Sequence, residues 1–179
     1  LFRSDRLVSD EILAMASPDC KKLYVGKSQA KHCVPQCNIN EMLAIQALEG
    51  KKVVRLKGGD PFIFGRGGEE AEFLLERGVS CHVVPGITAA SGCTTYAGIP
   101  LTHRGISRAC TFITGHMQDD GQLDLPWDSL TSADQTVAFY MGINTLPTIV
   151  DNLLIHNMDP DTPAAIIRNG TREDQQVYR

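Results

Sequence analysis

The N-terminal half of the chain alternates between short apolar runs and longer segments in which apolar residues recur at helical spacing. Three apolar runs bounded by turn residues predict strands at 22–25, 53–56 and 81–84. The segments around them predict helices at 9–16, 38–50, 69–77 and 88–93, with Ser9, Asn38 and Thr88 as N-caps. This alternation predicts an α/β fold whose parallel sheet is covered by helices on both faces.

The pattern changes at residues 98–105, which we interpret as a linker between two α/β domains at 1–99 and 100–179. Beyond the linker, apolar runs predict strands at 109–114, 136–140, 164–167 and 175–178. Asn144 or Thr145 begins a helix that carries Pro147 in its first turn. The polar segment 118–132 is predicted to be a mobile connection.

Composition narrows the class of protein. With 179 residues, 42% hydrophobic and 21% charged, the chain is typical of a soluble globular protein, and no apolar run approaches the length of a membrane span. The net charge of −4 argues against a general nucleic-acid binder. We interpret the six cysteines as reduced thiols of a cytoplasmic protein, and the lack of a second His/Cys cluster beside His32 and Cys33 argues against zinc. We therefore expect no membrane, nucleic-acid or metal partner.

The segment 53–70, VVRLKGGDPFIFGRGGEE, is the strongest candidate for a ligand site. Gly58 and Gly59 remove two side chains where a strand ends, and Asp60 places a carboxylate beside them. Ligands of open α/β sheets bind at the carboxyl ends of the strands. The alternative is a tight turn with no ligand. Because neither a P-loop nor a G-x-G-x-x-G motif is present, the pattern favours a neutral or cationic ligand over a nucleotide phosphate.

Basic residues are concentrated near the predicted strand ends and the linker. They are Arg55, Lys57 and Arg66 around the glycine loop, and His103, Arg104, Arg108 and His116 after the linker. If these loops converge, an otherwise acidic protein would carry a basic cleft suited to an anionic substrate. The alternative is a solvated surface, which is also the default for the short loop that contains Lys27, Lys31 and His32.

Together these motifs resemble the uroporphyrinogen-III C-methyltransferases, and in particular the methyltransferase module of bacterial siroheme synthases. The matching segments are DRLVS at 5–9, VGK at 25–27, HCVPQ at 32–36, the glycine-rich segment 53–70, VPGITAASGC at 84–93, GIPLTHR at 98–104, TGH at 114–116 and YMG at 140–142. They run through nearly the whole chain in the order of the family.

The resemblance implies a tetrapyrrole methylase fold, with two α/β domains, an active-site cleft between them and a homodimeric assembly. It implies transfer of two methyl groups from S-adenosylmethionine to uroporphyrinogen III, giving precorrin-2 through precorrin-1, in siroheme or cobalamin biosynthesis. The family's first strand and final strands have no counterpart here. We therefore expect a fold truncated at both ends that is poorly active alone. The alternatives are a precorrin methylase of the same fold and a donor-binding fragment without turnover.

The resemblance also assigns roles to individual residues by motif match. Asp5 is the implied proton acceptor and Lys27 the implied proton donor. The residues implied to contact the methyl donor are Gly58, Gly59, Asp60, Ile63, Thr88, Ala89, Met141 and Gly170. The residues expected to contact the carboxylates of the tetrapyrrole are His32, Arg66, His103 and Arg104.

Overall fold

The computed structural model describes the backbone of residues 2–4 and all atoms of residues 7–25, 34–117 and 122–179. Asp5, Lys27 and His32 lie outside the described residues. The chain divides into two compact units, Leu1–Ile87 and Thr88–Arg179. The predicted boundary between residues 99 and 100 therefore falls inside the second unit. Among the described residues, no helix combines the length and apolarity needed to cross a membrane.

The sheet of the first unit has three parallel strands in the order β2-β1-β3. They are β1 (Phe2–Ser4), β2 (Lys22–Tyr24) and β3 (Val54–Leu56). Ser4 pairs with both Tyr24 and Leu56, so the three strands end together at one edge. The parallel arrangement and the positions of β2 and β3 confirm the sequence prediction, whereas β1, the central strand, was not predicted. The loop after β3 therefore starts at the edge where parallel sheets hold ligands.

The described residues of the first unit form three helices: α1 (Asp10–Ala14), α2 (Gln36–Leu48) and α3 (Gly67–Leu75). Ser9 caps α1 as predicted, because its hydroxyl accepts the N–H of Ile12 at 3.5 Å. The predicted cap at Asn38 is wrong: the helix has already begun at Gln36, because extended Pro35 offers its carbonyl oxygen to the Ile39 N–H at 3.1 Å.

The predicted strand at 81–84 is also wrong. These residues form no ladder within the described chain, and the side chain of Val84 is 79% exposed. A strand requires a hydrogen-bonded neighbour, and the three-stranded sheet ends at β3. The apolar core of this unit is formed by Val25, which follows β2, and by Ile39 and Leu43 of α2.

The second unit contains one parallel and one antiparallel strand pair. The parallel pair is β4 (Ala109–Thr114) with β5 (Gln135–Tyr140), and the antiparallel pair is β6 (Ile166–Arg168) with β7 (Gln176–Tyr178). The helices are α4 (Ala89–Tyr96), α5 (Trp127–Leu130) and α6 (Leu146–Ile155). Thr145 is the N-cap of α6 and Pro147 lies in its first turn, as predicted.

The prediction of a mobile polar connection at 118–132 is wrong for the part that the structure describes. Helix α5 lies within it, and Leu130 is the most buried large side chain among the described residues, at 1% exposure. Trp127 and Leu130 are three residues apart, so both side chains lie on one face of the helix and pack with Ile149 of α6. Two apolar residues are too few to produce a helical period in the sequence.

Candidate functional site

In the glycine loop that follows β3, the main chain passes very close to neighbouring segments. A Cβ atom on Gly58 would approach the Cβ atom of Leu7 to 2.5 Å, and Gly59 adopts a φ of +78°. A Cβ atom on Gly86 would overlap the carbonyl oxygen of Gly59. Glycine is therefore required at all three positions, and the loop presents peptide groups at the strand edge rather than side chains.

Asp60 fixes the shape of this loop. Its Oδ1 accepts the N–H of Phe62 at 2.8 Å, and its Oδ2 accepts the N–H of Gly86 at 3.0 Å. The backbone N–H groups of Gly86 and Phe62 lower the pKa of the Asp60 carboxyl, because they stabilise its charged form. The carboxylate thus joins two loops and keeps a negative charge beside the glycines. Ile63 follows as a half-buried residue, and its N–H contacts the Asp60 carbonyl oxygen at 3.4 Å.

Glu70 neutralises two of the basic residues that were expected to line a cleft for an anionic substrate. Its carboxylate lies 3.0 Å from Lys57 Nζ and 3.3 Å from Arg55 Nε, and the side chains of Glu70 and Lys57 are only 6% and 8% exposed. Gln36 of α2 donates a further hydrogen bond to Glu70 at 2.9 Å. The expectation that Arg55 and Lys57 contribute to an open basic cleft is therefore wrong, because both are committed to a buried cluster.

Arg66 lies at the N-terminus of α3 with a φ of +57°. Its guanidinium forms a two-point fork with Glu69, with distances of 2.9 Å and 2.6 Å, and both side chains are about half exposed. The carboxylate of Glu69 raises the pKa of Arg66, and the guanidinium lowers the pKa of Glu69. A carboxylate of a ligand would have to compete with Glu69 for this guanidinium.

In the second unit, the N-terminus of α4 carries Thr88 and Ala89, two of the expected donor contacts. Thr88 is the N-cap residue, but its side chain makes no capping hydrogen bond to the helix. Its hydroxyl lies 2.5 Å from the hydroxyl of Tyr140, and the Tyr140 oxygen accepts the N–H of Ala90 at 2.8 Å. The residue that caps α4 is therefore Tyr140, at the end of β5.

Two further expected donor contacts lie on strained backbone in the same unit. Met141 follows Tyr140 with a φ of +55°, and Gly170 lies between Asn169 and Thr171, which have φ angles of +51° and +67°. Non-glycine residues in this left-handed region are costly and concentrate at functional sites. These angles are consistent with a ligand site at both turns.

Gly170 also contacts helix α4. A Cβ atom on Gly170 would overlap the sulfur of Cys93, whose thiol pKa is raised by burial. The turn at Gly170 and, through Tyr140, the turn at Met141 are thus both anchored on the helix that begins with Thr88. The structure therefore brings the four expected donor contacts of the second unit together around α4.

His103 and Arg104 lie in a turn at the start of the second unit. The backbone N–H of His103 contacts the Ser107 carbonyl oxygen at 2.9 Å, and buried Ser107 bonds Thr136 of β5 at 3.0 Å. Arg104 is exposed, and within the described chain its guanidinium has no hydrogen-bond or ion-pair partner. This turn is fixed by its backbone, which leaves the arginine side chain available to a ligand.

No group of three or more His, Cys, Asp and Glu residues that could hold a metal comes together in the part of the chain that the structure describes. The five described cysteines, Cys20, Cys37, Cys81, Cys93 and Cys110, are free thiols.

A family model for the Tetrapyrrole (Corrin/Porphyrin) Methylases matches residues 1–179. The chain belongs to the tetrapyrrole methylase family. This confirms the family resemblance inferred from the motifs and the tetrapyrrole methylase fold that it implied.

The chain is also similar in sequence to two longer proteins that are described as siroheme synthases. It is 54% identical over 174 residues to the one from Vesicomyosocius okutanii and 56% identical over 173 residues to the one from Methylococcus capsulatus. Each alignment covers 97% of this chain, but only 37% and 36% of the relatives. The chain thus spans little more than a third of the length of the curated relatives it matches.

Solved structures show the same fold. A uroporphyrin-III C-methyl transferase from Thermus thermophilus, complexed with S-adenyl homocysteine, has 32% identity and a TM-score of 0.79, covering 99% of this chain and 74% of that one. A cobalt precorrin-4 methyltransferase has a TM-score of 0.81, covering 99% of this chain and 72% of that one. Its identity is only 20%, so it supports the fold alone.

Sequence reasoning missed Tyr140 and Glu70 as organising residues. Tyr140 was part of a recognised motif, but only Met141 received a role, and the partners of Tyr140 lie about fifty residues earlier in the chain. Glu70 lies in the first turn of α3, but its side chain is buried. The presence of basic residues at 55 and 57 and of acidic residues at 69 and 70 was the available signal for that ion cluster.

Proposed function

We propose that this methylase transfers methyl groups from S-adenosylmethionine to uroporphyrinogen III, giving precorrin-2 through precorrin-1. The observation that carries the proposal is the loop of Gly58, Gly59 and Asp60, a side-chain-free strand edge that ends in an ionised carboxylate. A sulfonium donor is cationic, so a negative charge beside exposed peptide groups suits it. S-adenosylhomocysteine is the form of this donor that is left after transfer, and the Thermus thermophilus neighbour was solved with that compound.

We assign the methyl donor to two clusters of residues. The first comprises Gly58, Gly59, Asp60 and Ile63, and the second comprises Thr88, Ala89, Met141 and Gly170. In both clusters the backbone is held by tertiary contacts before any ligand binds, so little ordering remains to be done on binding. Such preorganisation is the main contribution an enzyme can make to a displacement that depends on the alignment of two atoms.

The tetrapyrrole carries several carboxylates, which call for exposed cationic groups. We assign Arg104 and His103 to this role, together with His32 and with Arg66 when it exchanges Glu69 for a substrate carboxylate. Arg104 is the strongest of these assignments, because it is exposed and has no partner within the described chain. Guanidinium groups bind carboxylates in a two-point geometry that fixes orientation as well as position.

The chemistry needs a base as well as alignment. A nucleophilic ring carbon forms a bond to the methyl carbon while the carbon–sulfur bond breaks, and the sulfonium becomes a neutral thioether. The methylated ring then loses a proton. We assign Asp5 as the acceptor of that proton and Lys27 as a proton donor to the macrocycle, following the family motifs. General acid–base assistance of this kind typically contributes about 10²–10⁴-fold in rate.

The test is incubation of the purified full-length protein with both substrates under reducing, anaerobic conditions, followed by mass spectrometry. We expect a dimethylated product, with a monomethylated intermediate at early times. Lys27→Ala should lower turnover more than it lowers affinity for the donor. Donor binding without any methylated product would indicate a binding fragment instead, and methylation of a precorrin but not of uroporphyrinogen III would indicate a different methylase.

We further propose that the protein acts in the cytoplasm and as a homodimer. The free thiols at the five described cysteines are consistent with a reducing compartment. Light scattering coupled to size-exclusion chromatography measures the oligomeric state directly. A monomer at micromolar concentration would contradict the dimer without affecting the proposed chemistry.

A further inference from the structure

We propose that Tyr140 is a positioning residue for the methyl donor, and that its hydroxyl sets the spacing between the turn at Met141 and the N-terminus of α4. This inference rests on the proposed function, because it assigns a role within the donor site. Tyr140 has no implied contact with the donor itself. It would act through Thr88 and Ala89, at the helix start to which its hydroxyl is bonded, and through Met141, which follows it in the chain.

Tyr140 takes the place of a local cap on α4. An N-cap side chain ordinarily accepts an N–H from the first turn of its own helix. Thr88 occupies the N-cap position of α4 but makes no such bond. The N–H of Ala90 is satisfied at 2.8 Å by the Tyr140 oxygen, fifty residues away in the chain. The start of α4 is therefore defined by a side chain from the end of β5.

The same Tyr140 oxygen also forms a hydrogen bond with Thr88, so one atom contacts two neighbouring groups at the start of α4. The hydroxyls of Tyr140 and Thr88 lie 2.5 Å apart, and Thr88 is only 8% exposed. A buried hydroxyl that loses its partner is costly, so the arrangement resists displacement of either group. Thr88 cannot move relative to the β5 terminus without breaking this bond.

The turn after Tyr140 is held at both of its ends. Met141 has a φ of +55°, and a strained residue holds its conformation only where its surroundings fix it. On one side the Tyr140 hydroxyl holds the preceding residue. On the other, a Cβ atom on Gly142 would approach the Ile149 side chain to 2.9 Å, so Gly142 is closely packed. The hydroxyl of Tyr140 is thus one of the anchors of the turn that presents Met141.

The test is Tyr140→Phe, which removes the hydroxyl and keeps the ring, whose centroid lies 5.9 Å from that of Phe112. The matched control is Tyr178→Phe, which removes a hydroxyl that bonds Gln176 at 2.7 Å on exposed β7. Isothermal titration of the purified protein with S-adenosylhomocysteine gives the affinity. We expect Tyr140→Phe to weaken binding by about fivefold or more, and Tyr178→Phe to leave it unchanged.

Two further measurements separate positioning from a loss of stability. Steady-state kinetics should show a raised KM for the donor with little change in kcat or in the KM for the tetrapyrrole. Hydrogen exchange at the Ala90 amide should accelerate in Tyr140→Phe while amides in the middle of α6 stay protected. If Tyr140→Phe does not fold, Thr88→Val tests the same bond from its other side, with Thr88→Ser expected to restore donor affinity.

The outcomes are distinct. Donor affinity in folded Tyr140→Phe equal to that of the wild type would overturn the inference and leave the proposed function intact. Equal weakening in Tyr140→Phe and Tyr178→Phe would also overturn it, because the effect would not depend on the site. A wild-type protein that does not bind S-adenosylhomocysteine would remove both the proposed function and this inference.

Discussion

At the scale of single residues, the carboxylate of Asp60 holds two loops together, in addition to its proposed role at the donor site. Its two oxygens accept the N–H groups of Phe62 and Gly86, which joins the glycine loop to the extended segment before α4. Its charge is retained because these same donors lower its pKa. A neutral isostere would therefore change the shape of the loop and its charge together.

We expect Asp60→Asn to weaken binding of S-adenosylhomocysteine several-fold in isothermal titration, because one backbone N–H must then face an amide N–H₂ group. The matched control is Asp159→Asn, since Asp159 accepts the Asp161 N–H at 2.9 Å in an exposed turn. Unchanged affinity in Asp60→Asn would show that the hydrogen bonds of this carboxylate are not needed for binding of the donor.

The lowered pKa of Asp60 also predicts a dependence on pH. The contribution of its carboxylate to stability is present above the ordinary value of 3.8 and is lost as the pH falls through the lower folded-state pKa. The difference in free energy of unfolding between wild type and Asp60→Asn should therefore become smaller as the pH is lowered below about 3.8. Urea titrations at a series of pH values measure this difference, and a constant difference would contradict the assignment.

At the scale of elements, Glu70 ties together β3, α2 and α3. Its carboxylate contacts the cations of Lys57 and Arg55 and accepts a hydrogen bond from Gln36. The ion cluster spans the two ends of the segment that contains the glycine loop, because Lys57 precedes Gly58 and Glu70 lies in the first turn of α3. Loss of this carboxylate would remove a buried negative charge that contacts both Lys57 and Arg55.

We expect Glu70→Gln to lower the free energy of unfolding by about 3 kcal/mol, as when one partner of a buried ion pair is removed. The adjacent Glu69→Gln is the control, because its pair with Arg66 is exposed and should contribute less than about 1 kcal/mol. Urea denaturation at neutral pH measures both. Equal effects would show that burial does not distinguish the two carboxylates.

Helix α5 gives a second prediction at this scale. Leu130 is almost fully buried and packs with Trp127 and Ile149. Leu130→Ala should therefore lower the free energy of unfolding by about 3 kcal/mol. Ile155→Ala, at a side chain that is 72% exposed, should cost only about 0.5 kcal/mol. A negligible effect of Leu130→Ala would restore the expectation of an unstructured connection.

At the scale of the whole molecule, an acidic protein is proposed to bind a substrate that is itself strongly anionic. The net charge of −4 opposes that encounter, so recognition must come from local cations. Arg55 and Lys57 are neutralised by Glu70, and the fork of Arg66 is occupied by Glu69. Among the described residues singled out for the tetrapyrrole, this leaves Arg104 as the arginine with no competing carboxylate.

We expect Arg104→Ala to raise the KM for the tetrapyrrole and to reduce its dependence on salt, because one ionic contact is lost. Affinity for S-adenosylhomocysteine should not change. The control is Lys21→Ala, which removes one positive charge from an exposed loop. If both variants alter the salt dependence equally, the change is caused by the altered net charge and not by the loss of a contact at Arg104.

The sequence by itself determined the features that local chemistry controls. Apolar runs indicated β2, β3, β4 and β5, and the glycine loop was identified by its composition. The helices predicted at 38–50 and 69–77 end close to their predicted C-termini, where Gly50 and Gly78 adopt a left-handed φ of +78° and +73°. Each of these features depends on residues within a few positions of one another, so a single sequence contains the information.

Only the tertiary structure decided which distant groups meet. The capping of α4 by Tyr140, the burial of Glu70 and the contact of Gly170 with Cys93 join segments 13 to 77 residues apart, and no local pattern encodes them. The apolar run at 81–84 failed as a strand for the same reason, since a ladder needs a neighbour that sequence spacing does not provide. Periodicity reports which face of an element is apolar, whereas hydrogen-bond partners are set by how the elements come together.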